Sequence, residues 1–504
     1  MGNAFLHLVS RHLEEGRGAS VALMEGGRRV TYAELDHLSA CATSLLLEAD
    51  VRPGDRVLSF AGDSVELFAF VLAGLRLGAV VVVGNHLSRA PQLRFFCADT
   101  EAKVVLVSAL TAPALVGWSD APASLRRLWY AGTGELPAGV LRLEEAIAAV
   151  PPHAAVADVP GDHPACWQYT HGSDGEELAV IHTHEALIAG SWPFARGRLD
   201  MRPEDVCFSL AKLYFGYGFG NSLVFPMSVG ASTILYSGRP DVHSILDLVQ
   251  RERPTIFFGV PTFYQAMLKV PSCAKRYELS SVRVFVSAGE ELGASLAEQF
   301  HEAFERWLVD GIGSTEMFHI FLSGEPERTR PGSLGTPTPG HEVRLLAPDG
   351  RAVADNEVGD VWVRGPHNGI GYARHPERAR AVFVDGWVKT GDRMVRDATG
   401  EYLYRGRLDN VLMVGGQKVI LEEIRQCLLE LDVVEDAQVE GAYDDDRICR
   451  LLARVRLRET VDASRGSIPA LRAHLRERLL PHNWPAKIEI EGAERAPGQA
   501  IKSV

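Results

Sequence analysis

The sequence predicts an α/β fold with a large N-terminal region of layered helices and strands, a β-rich subdomain, and a smaller α+β segment at the C-terminus. From residue 31 to about residue 290, amphipathic helices alternate with short β-branched runs, which is typical of a largely parallel sheet. From about residue 333 to 405, short alternating strands are separated by Gly and Asp turns. With 504 residues the chain is too long for one core, so about two to four structural units are expected.

The predicted elements follow from local patterns. Thr31 and Glu34 form a capping box before "YAELDHLSACATSLLLEA", which predicts a helix. The run "SVELFAFVLAGLRLG" is predicted as a buried helix, followed by the strand "AVVVVGN". Residues 151–164 are rich in Pro and Ala, which indicates a surface connection. Further strands are predicted at "VRPGDRVLSFAG", "AKVVLVSA", "ACWQYT", "VCFSL", "ASTILYS", "PTIFFGVP", "VRVFVSAG", "HEVRLLAPDGRAV", "GDVWVRG" and "EYLYRGR".

Composition and charge exclude several classes of protein. The formal net charge of −13 argues against binding to nucleic acid or to an anionic membrane. The 7 cysteines include no CxxC pair, so we expect reduced thiols in a cytoplasmic enzyme. No signal-peptide run begins the chain, and its longest apolar stretch contains an Arg and several Gly. The sequence therefore predicts a cytoplasmic protein with neither a nucleic-acid nor a membrane partner.

Six motifs occur in a characteristic order. They are a Gly/Ser loop after an apolar strand (Gly172, Ser173, Gly175), "SAGEEL" (287–292), "DGIGSTEMFHIF" (310–321), "DGWVKTGD" (385–392), "YRGRLDNVLMVGG" (404–416) and "LEEI" (421–424). Together they resemble the adenylate-forming superfamily of acyl- and aryl-CoA ligases along essentially the whole chain. The stretches "FSLAKLYFGYGFGNSLVFPMSVGAS", "PTIFFGVPTFY" and "GIGSTEMFHIFLS" are most similar to benzoate- and anthranilate-CoA ligases.

The resemblance implies a domain organisation and a reaction in two halves. An N-terminal domain of residues 1–405 would be joined by a hinge at 406–409, centred on Asp409, to a C-terminal lid of residues 410–504. The first half-reaction would make an acyl-adenylate and pyrophosphate from an acid, ATP and magnesium. The second half-reaction would transfer the acyl group to a thiol.

The resemblance also implies roles for individual residues. Thr315 and Glu316 match a phosphate- and magnesium-contacting pair, and a hydroxyl with a carboxylate suits a hard cation. Asp392 matches an acceptor for ribose hydroxyls, and Arg407 an arginine near ribose and phosphate. The full set expected to bind nucleotide or CoA is Ser173, Gly289, Glu290, Asp310, Asp392 and Arg407. The expected aryl pocket is formed by Tyr214, Phe215, Gly259, His319 and Ile320, because flat rings pack well on an aromatic substrate.

The phosphate loop departs from the family pattern. Where the family has hydroxyls, a basic residue and a lysine, this chain has Asp174, Glu176, Glu177 and Leu178. Backbone amides and a cation normally hold the phosphate anion in such a loop. Two like charges about 4 Å apart cost on the order of 4 kcal/mol at an effective dielectric constant near 20. The loop is therefore predicted to disfavour a triphosphate.

Two further lysines of the family pattern are missing. Met413 replaces one of them, and Gln499 or Ala500 replaces the lysine that contacts the carboxylate and the α-phosphate. Lys502 lies two or three residues later and could compensate. A missing cation at developing charge typically costs a few kcal/mol. The sequence thus predicts a pocket without its usual cations, unless Lys502 or an arginine replaces them.

Three functional hypotheses remain open. The first is ATP-independent transfer of an aroyl group from CoA to the phosphopantetheine of an acyl carrier protein, with His171, His184 or His319 as the base. In a variant of it, Cys166 or Cys207 carries the acyl group covalently. The alternative is an ATP-dependent aryl-acid ligase with a CoA, carrier or amine acceptor, which alone would require ATP and magnesium. The third is an inactive homologue that acts as a binding subunit.

Overall fold

The computed structural model describes residues 2–172, 176–408, 411–458 and 466–490, and the fold is α/β, as the sequence predicts. The strands in chain order are β1 (Val21–Glu25), β2 (Arg28–Thr31), β3 (Arg56–Phe60), β4 (Val80–Val83), β5 (Val104–Val107), β6 (Arg127–Tyr130), β7 (Leu141–Arg142), β8 (Pro164–His171), β9 (Glu177–Thr183), β10 (Val206–Ser209), β11 (Ser232–Leu235), β12 (Ile256–Gly259), β13 (Val284–Ala288), β14 (Leu308–Gly313), β15 (Ile320–Ser323), β16 (Thr336–Pro337), β17 (Glu342–Leu346), β18 (Val358–Arg364), β19 (Phe383–Val384), β20 (Trp387–Arg396), β21 (Tyr402–Arg407), β22 (Val411–Val414), β23 (Gln417–Ile420), β24 (Val434–Tyr443), β25 (Cys449–Leu457) and β26 (Lys487–Ile490).

Helices cover the sheets. They are α1 (Arg11–Glu14), α2 (Tyr32–Glu48), α3 (Val65–Leu77), α4 (Ala90–Thr100), α5 (Ala112–Leu115), α6 (Leu143–Ala149), α7 (His184–Gly190), α8 (Gly216–Phe219), α9 (Phe225–Val229), α10 (Val242–Glu252), α11 (Pro261–Leu268), α12 (Cys273–Arg276), α13 (Ala294–Phe304), α14 (Pro376–Val382), α15 (Leu421–Leu429) and α16 (Ile468–Arg478). Short π-helical turns lie at Leu6–Ser10, Trp192–Arg196 and Gly220–Val224, and a 3₁₀ turn at Pro481–Asn483.

A seven-stranded sheet in the order β7-β6-β5-β3-β4-β8-β9 carries the first helix–strand units. Its strands run parallel except for the β8–β9 hairpin. Every residue of α3 other than Glu66 is buried, because the helix packs between layers, and an all-round apolar helix must be buried. A Cβ on Gly74 would lie 2.5 Å from Val81 and 3.0 Å from Val57, so helix and strands pack too closely for a side chain there.

The second large sheet has nine strands in the order β16-β15-β14-β13-β12-β10-β11-β1-β2. Strands β10 to β14 pair in parallel, and β15 and β16 add antiparallel strands at one edge. The carboxyl ends of β12, β13 and β14 therefore lie side by side. That edge is where α/β sheets bind ligands.

The C-terminal part of the chain forms smaller sheets. A five-stranded antiparallel sheet contains β17 to β21, within residues 342–407. Two further sheets, β22–β23 and β24–β25–β26, lie with α15 and α16 in residues 411–490. Asp409 lies outside the described residues, so the domain boundaries and the hinge remain predictions. A search of the described helices for one that is long and apolar enough to span a bilayer finds none.

The predicted capping box at the start of α2 is confirmed. The Thr31 hydroxyl accepts from the Glu34 amide at 3.2 Å, and the Glu34 carboxylate accepts from the Thr31 amide at 2.7 Å. Two of the amide groups that a helix start leaves without partners are thereby satisfied. We expect this cap to stabilise α2 and the layer that packs on it.

Replacing Thr31 with Ala should lower the free energy of unfolding of this region by about 1 kcal/mol, because the first turn of α2 loses its acceptor. The measurement is the urea midpoint at unchanged m-value. Thr31→Ser keeps the hydroxyl and should retain most of the stability. An equal loss in both variants would contradict a contribution from the hydroxyl.

Candidate active site

A cavity of about 1370 Å³ lies between the nine-stranded sheet and the C-terminal sheets. The carboxyl ends of β13 and β14 form one wall, β22 and β23 the opposite wall, and the β8–β9 hairpin a third side. The structure brings most of the predicted site residues to this cavity, namely Tyr214, Phe215, Gly289, Glu290, Asp310, Thr315, Glu316, His319, Ile320, Asp392 and Arg407. Motif residues between Gly172 and Glu423 therefore share one site.

Glu316 is a buried, ionised carboxylate at the turn between β14 and β15. Its Oε1 accepts from the Tyr372 hydroxyl at 2.9 Å, and its carbonyl accepts from the Gly369 amide at 2.7 Å. Burial opposes its ionisation, but the Lys418 ammonium and hydrogen bonds outweigh burial and lower the pKa of Glu316. The neighbouring Thr315 is fixed by its carbonyl, which accepts from His182 Nε2 at 2.9 Å.

Asp392 and Arg407 form an ion pair across β20 and β21. Arg407 donates to Asp392 Oδ1 at 3.0 Å, and the Thr390 hydroxyl accepts from the Asp392 amide at 3.2 Å. Both side chains are largely buried and line the cavity. Asp310 differs, because burial raises its pKa well above the ordinary range although the Gly311 amide donates to it at 3.0 Å. The Asp392–Arg407 pair thus offers a charge-balanced polar surface, whereas Asp310 is held in its neutral form.

Gly289 and Glu290 connect the body of the protein to the C-terminal sheets. Gly289 has a φ of +87°, and a Cβ there would lie 3.3 Å from the Gly416 Cα. Glu290 Oε1 accepts from the Gly415 amide, while Oε2 accepts from Thr262 at 3.0 Å (amide) and 2.6 Å (hydroxyl). The sequence predicted nucleotide binding here and did not predict this contact.

His319 lies among aromatic rings at one end of the cavity. Its ring centroid is 4.5 Å from that of Phe225 and 5.5 Å from those of Phe194 and Tyr217. Its Nε2 donates to the Tyr217 carbonyl at 3.2 Å, and burial lowers its pKa to about 3. The ring is therefore neutral near pH 7. Its Nδ1 is a buried acceptor without a hydrogen-bond partner among the described residues.

Two predicted residues lie away from the cavity. His184 is buried at the start of α7, where its Nδ1 accepts from the Ala4 amide at 3.0 Å and burial lowers its pKa to about 4. The prediction of His184 as a base is therefore corrected to a structural role. Gly259 does not line the cavity, and its carbonyl accepts from the Tyr217 hydroxyl at 3.3 Å.

The proposed covalent cysteines are also corrected. Cys166 and Cys207 are buried away from the cavity, and burial raises the pKa of both thiols above the ordinary range. A protonated, inaccessible thiol is a poor nucleophile. Ser173, Asp409 and Lys502 lie outside the described residues, as do the side chain of His171 and the predicted substitutions at 499 and 500.

Of the acidic residues that the sequence places in the predicted phosphate loop, Glu176 and Glu177 are among the described residues. Glu177 lines the cavity, and the Leu178 side chain is buried. Glu176 lies 3.1 Å from the Arg378 guanidinium and 3.8 Å from His375 Nδ1. Arg378 on α14 therefore neutralises part of the loop's negative charge.

The described residues give the cavity positive charge from positions other than 413, where the family has a lysine. Six cationic side chains line the cavity, namely Arg378, Lys389, Arg405, Arg407, Lys418 and Arg447. Lys418 Nζ donates to the Thr170 hydroxyl at 2.8 Å. Lys418 was not among the predicted site residues, because it lies outside the positions where the family has lysine. The signal was the lysine two residues after "GG" in "VGGQKV".

Comparison with known proteins agrees with these motifs. The AMP-binding enzyme family matches residues 11–373. The chain is 34% identical over 490 residues to the 4-hydroxybenzoate–CoA/benzoate–CoA ligase of Rhodopseudomonas palustris, which covers 97% of this chain and 90% of that protein.

Solved structures of CoA ligases also match the chain, and they do so along essentially its whole length. The anthranilate CoA ligase AuaEII in complex with anthranoyl-AMP aligns with a TM-score of 0.77 and 30% identity, covering 100% of this chain and 95% of that one. A benzoate CoA ligase from Burkholderia xenovorans aligns with a TM-score of 0.75 and 33% identity, covering 99% and 98%. All three proteins are named as ligases, which favours the ligase alternative over ATP-independent transfer. The chain thus belongs to the AMP-binding enzyme family, whose members form the adenylate-forming superfamily that its six motifs resemble.

Proposed function

We propose that the chain is an aryl-acid ligase that uses ATP to join an aromatic carboxylic acid to the thiol of CoA. The observation that carries this proposal is the single cavity that combines the aromatic end around His319 with Glu316, the Asp392–Arg407 pair and further cations. An aromatic acid and a nucleotide fit such a combination of surfaces. The names of the related proteins support the same function.

In the first half-reaction a carboxylate oxygen of the aryl acid attacks the α-phosphorus of ATP, and pyrophosphate leaves. The ionised Glu316 with the Thr315 hydroxyl suits Mg²⁺, which would neutralise phosphate charge when bound. Asp392 would accept from the ribose hydroxyls while Arg407 faces the phosphates. Both are held by their mutual ion pair, so the nucleotide meets a preorganised surface.

The hydrogen-bonding state of His319 indicates which kind of substituent the aromatic ring of the substrate carries. Because Nε2 donates to a carbonyl and the imidazole is neutral, Nδ1 can only accept a hydrogen bond. A buried acceptor without a partner is costly, on the order of 1–3 kcal/mol. An aryl acid with an amino or hydroxyl substituent would supply the missing donor, whereas an unsubstituted ring would not.

In the second half-reaction the CoA thiolate attacks the acyl carbon, the carbon–sulfur bond forms and AMP leaves. We propose residues 1–405 as the body, 406–409 as a hinge around Asp409, and 410–504 as a lid that changes orientation between the two halves. Contacts from Glu290 and Lys418 to the opposite part of the protein support a lid arrangement that closes the cavity. The retained Thr315 and Glu316 favour an active enzyme over an inactive binding subunit.

One observation favours a second candidate function. Glu177 lines the cavity and Leu178 is buried, where the family resemblance implies cations around a triphosphate. A thiol of a carrier protein's phosphopantetheine could instead attack an aroyl-CoA directly, releasing CoA without ATP. The aryl pocket would serve this reaction unchanged, and the acidic loop would not need to accommodate phosphate.

One assay separates the two functions. We expect the protein to release pyrophosphate at turnover rates with 2-aminobenzoate or 4-hydroxybenzoate, ATP and Mg²⁺, and to form aroyl-CoA when CoA is added. Glu316→Gln should reduce pyrophosphate release by about 100-fold, since it removes a charge at the phosphate site. Absence of pyrophosphate, together with aroyl transfer from aroyl-CoA to a holo carrier protein without ATP, would replace the ligase with the second candidate.

Replacement of His319 tests the predicted ring substituent. His319→Phe should lower kcat/KM for the amino- or hydroxy-substituted acid by about 10- to 100-fold, because the acceptor is lost. Activity with benzoate should change only a few-fold. His319→Asn restores an acceptor and should recover part of the preference. An equal loss with all three acids would contradict a hydrogen bond between Nδ1 and the ring substituent.

A further inference from the structure

The turn of residues 314–319, between β14 and β15, is held from outside by two histidines. His182, on β9, donates from Nε2 to the Thr315 carbonyl at 2.9 Å. His367, in the loop before α14, donates from Nδ1 to the Met317 carbonyl at 2.7 Å. The Glu316 carbonyl, between these two, accepts from a main-chain amide at 2.7 Å. Three successive carbonyls of the turn are therefore fixed by donors from distant parts of the chain.

The two carbonyls that accept from a histidine also accept from the turn itself. The Phe318 amide donates to the Thr315 carbonyl at 3.0 Å, and the His319 amide donates to the Met317 carbonyl at 2.7 Å. A carbonyl oxygen has two lone pairs, so each of these oxygens is filled by one local and one external donor. The local bonds fix the shape of the turn, whereas the histidines fix where the turn lies.

The turn contains a strained residue on which both histidine rings pack. Phe318 has a φ of +64°, in the left-handed region that side chains other than glycine rarely adopt. Its ring meets those of His182 and His367 edge-on, at centroid distances of 5.5 Å and 6.1 Å. Such a conformation persists only where its surroundings hold it. The two histidines thus hold the turn by ring contacts as well as by hydrogen bonds.

Neither histidine faces the cavity itself. Both side chains are buried, and neither lines the cavity. Burial lowers the pKa of His182 to about 4 and that of His367 well below the ordinary range. A neutral imidazole has a single donor nitrogen, and each ring directs that donor to the turn. Any effect of these residues on the reaction must therefore pass through the turn.

We propose that His182 and His367 are positioning residues for the aryl-acid ligase reaction and act through the turn that they hold. This inference rests on the proposed function, in which Glu316 would face Mg²⁺ and phosphate and His319 the aryl ring. Because one short turn carries both of these side chains, loss of either histidine donor should displace the polar and the aromatic ends of the site together. A residue with a structural role alone would lower stability without this paired effect.

The test compares two properties of the full-length protein. Binding of 2-aminobenzoate without ATP or Mg²⁺ is followed by the fluorescence of the acid, and benzoate is measured by competition. The Mg²⁺ concentration for half-maximal ATP–pyrophosphate exchange is the second property. We expect His182→Leu and His367→Leu each to raise both the Kd of 2-aminobenzoate and this Mg²⁺ concentration by about 10- to 100-fold, as for other residues that orient a ligand-binding group from behind. Preference for 2-aminobenzoate over benzoate should fall.

Amide variants show whether the donor atom is responsible. The amide nitrogen of Gln takes the place of Nε2, and that of Asn takes the place of Nδ1. His182→Gln and His367→Asn therefore keep a donor for their carbonyls, whereas His182→Asn and His367→Gln do not. We expect each matched amide to recover most of both losses and each mismatched amide to recover little. If a Leu variant does not fold, this comparison decides.

His474→Leu is the matched control, because His474 Nε2 donates to the Cys427 carbonyl at 2.8 Å and neither residue lines the cavity. It should lower the melting temperature and leave both properties unchanged. Wild-type values of both properties in folded His182→Leu and His367→Leu, or equal losses in matched and mismatched amides, would overturn the positioning role. If the wild-type protein releases no pyrophosphate with any aryl acid, the ligase function fails. The binding measurement still tests the positioning role in that case, because it requires neither ATP nor CoA.

Discussion

The ionised, buried carboxylate of Glu316 is the interaction on which the rest of the cavity depends. Burying a lone charge is costly, so the surroundings must supply compensation. Here the compensation comes from the Tyr372 hydroxyl, 56 residues further along the chain, and from the ammonium of Lys418 on β23. One carboxylate therefore couples the nine-stranded sheet, the loop before α14 and the C-terminal sheets.

The contacts between the nine-stranded sheet and the C-terminal sheets depend on backbone geometry. Gly289 has a positive φ and leaves 3.3 Å between its Cβ position and Gly416, so the turn between β22 and β23 approaches closely. Glu290 then bridges Thr262 and the Gly415 amide. A side chain at Gly289 would separate these surfaces, and Lys418 would reach Thr170 less well. Small residues at the junction are thus a condition for the charge arrangement in the cavity.

Local sequence patterns were sufficient to predict the structural features that are set by residues close together in the chain. The capping box of Thr31 and the largely apolar pattern of helix α3 are set by residues close together in the chain, and both elements were predicted. Fold class and most cavity residues followed from ordered motifs. His184 was misjudged because its environment is set by Ala4, 180 residues away. Lys418 was missed because it lies outside the positions where the family has lysine.

The electrostatics of the cavity is a property of several elements rather than of one loop. Within the β8–β9 hairpin, Glu176 pairs with Arg378 on α14. Lys418, in contrast, lies on β23 in the C-terminal part of the chain. If the lid changes orientation about the proposed hinge, the potential beside Glu316 changes with it. The charge that a phosphate meets beside Glu316 therefore depends on the position of the C-terminal sheets as well as on the residues of the loop.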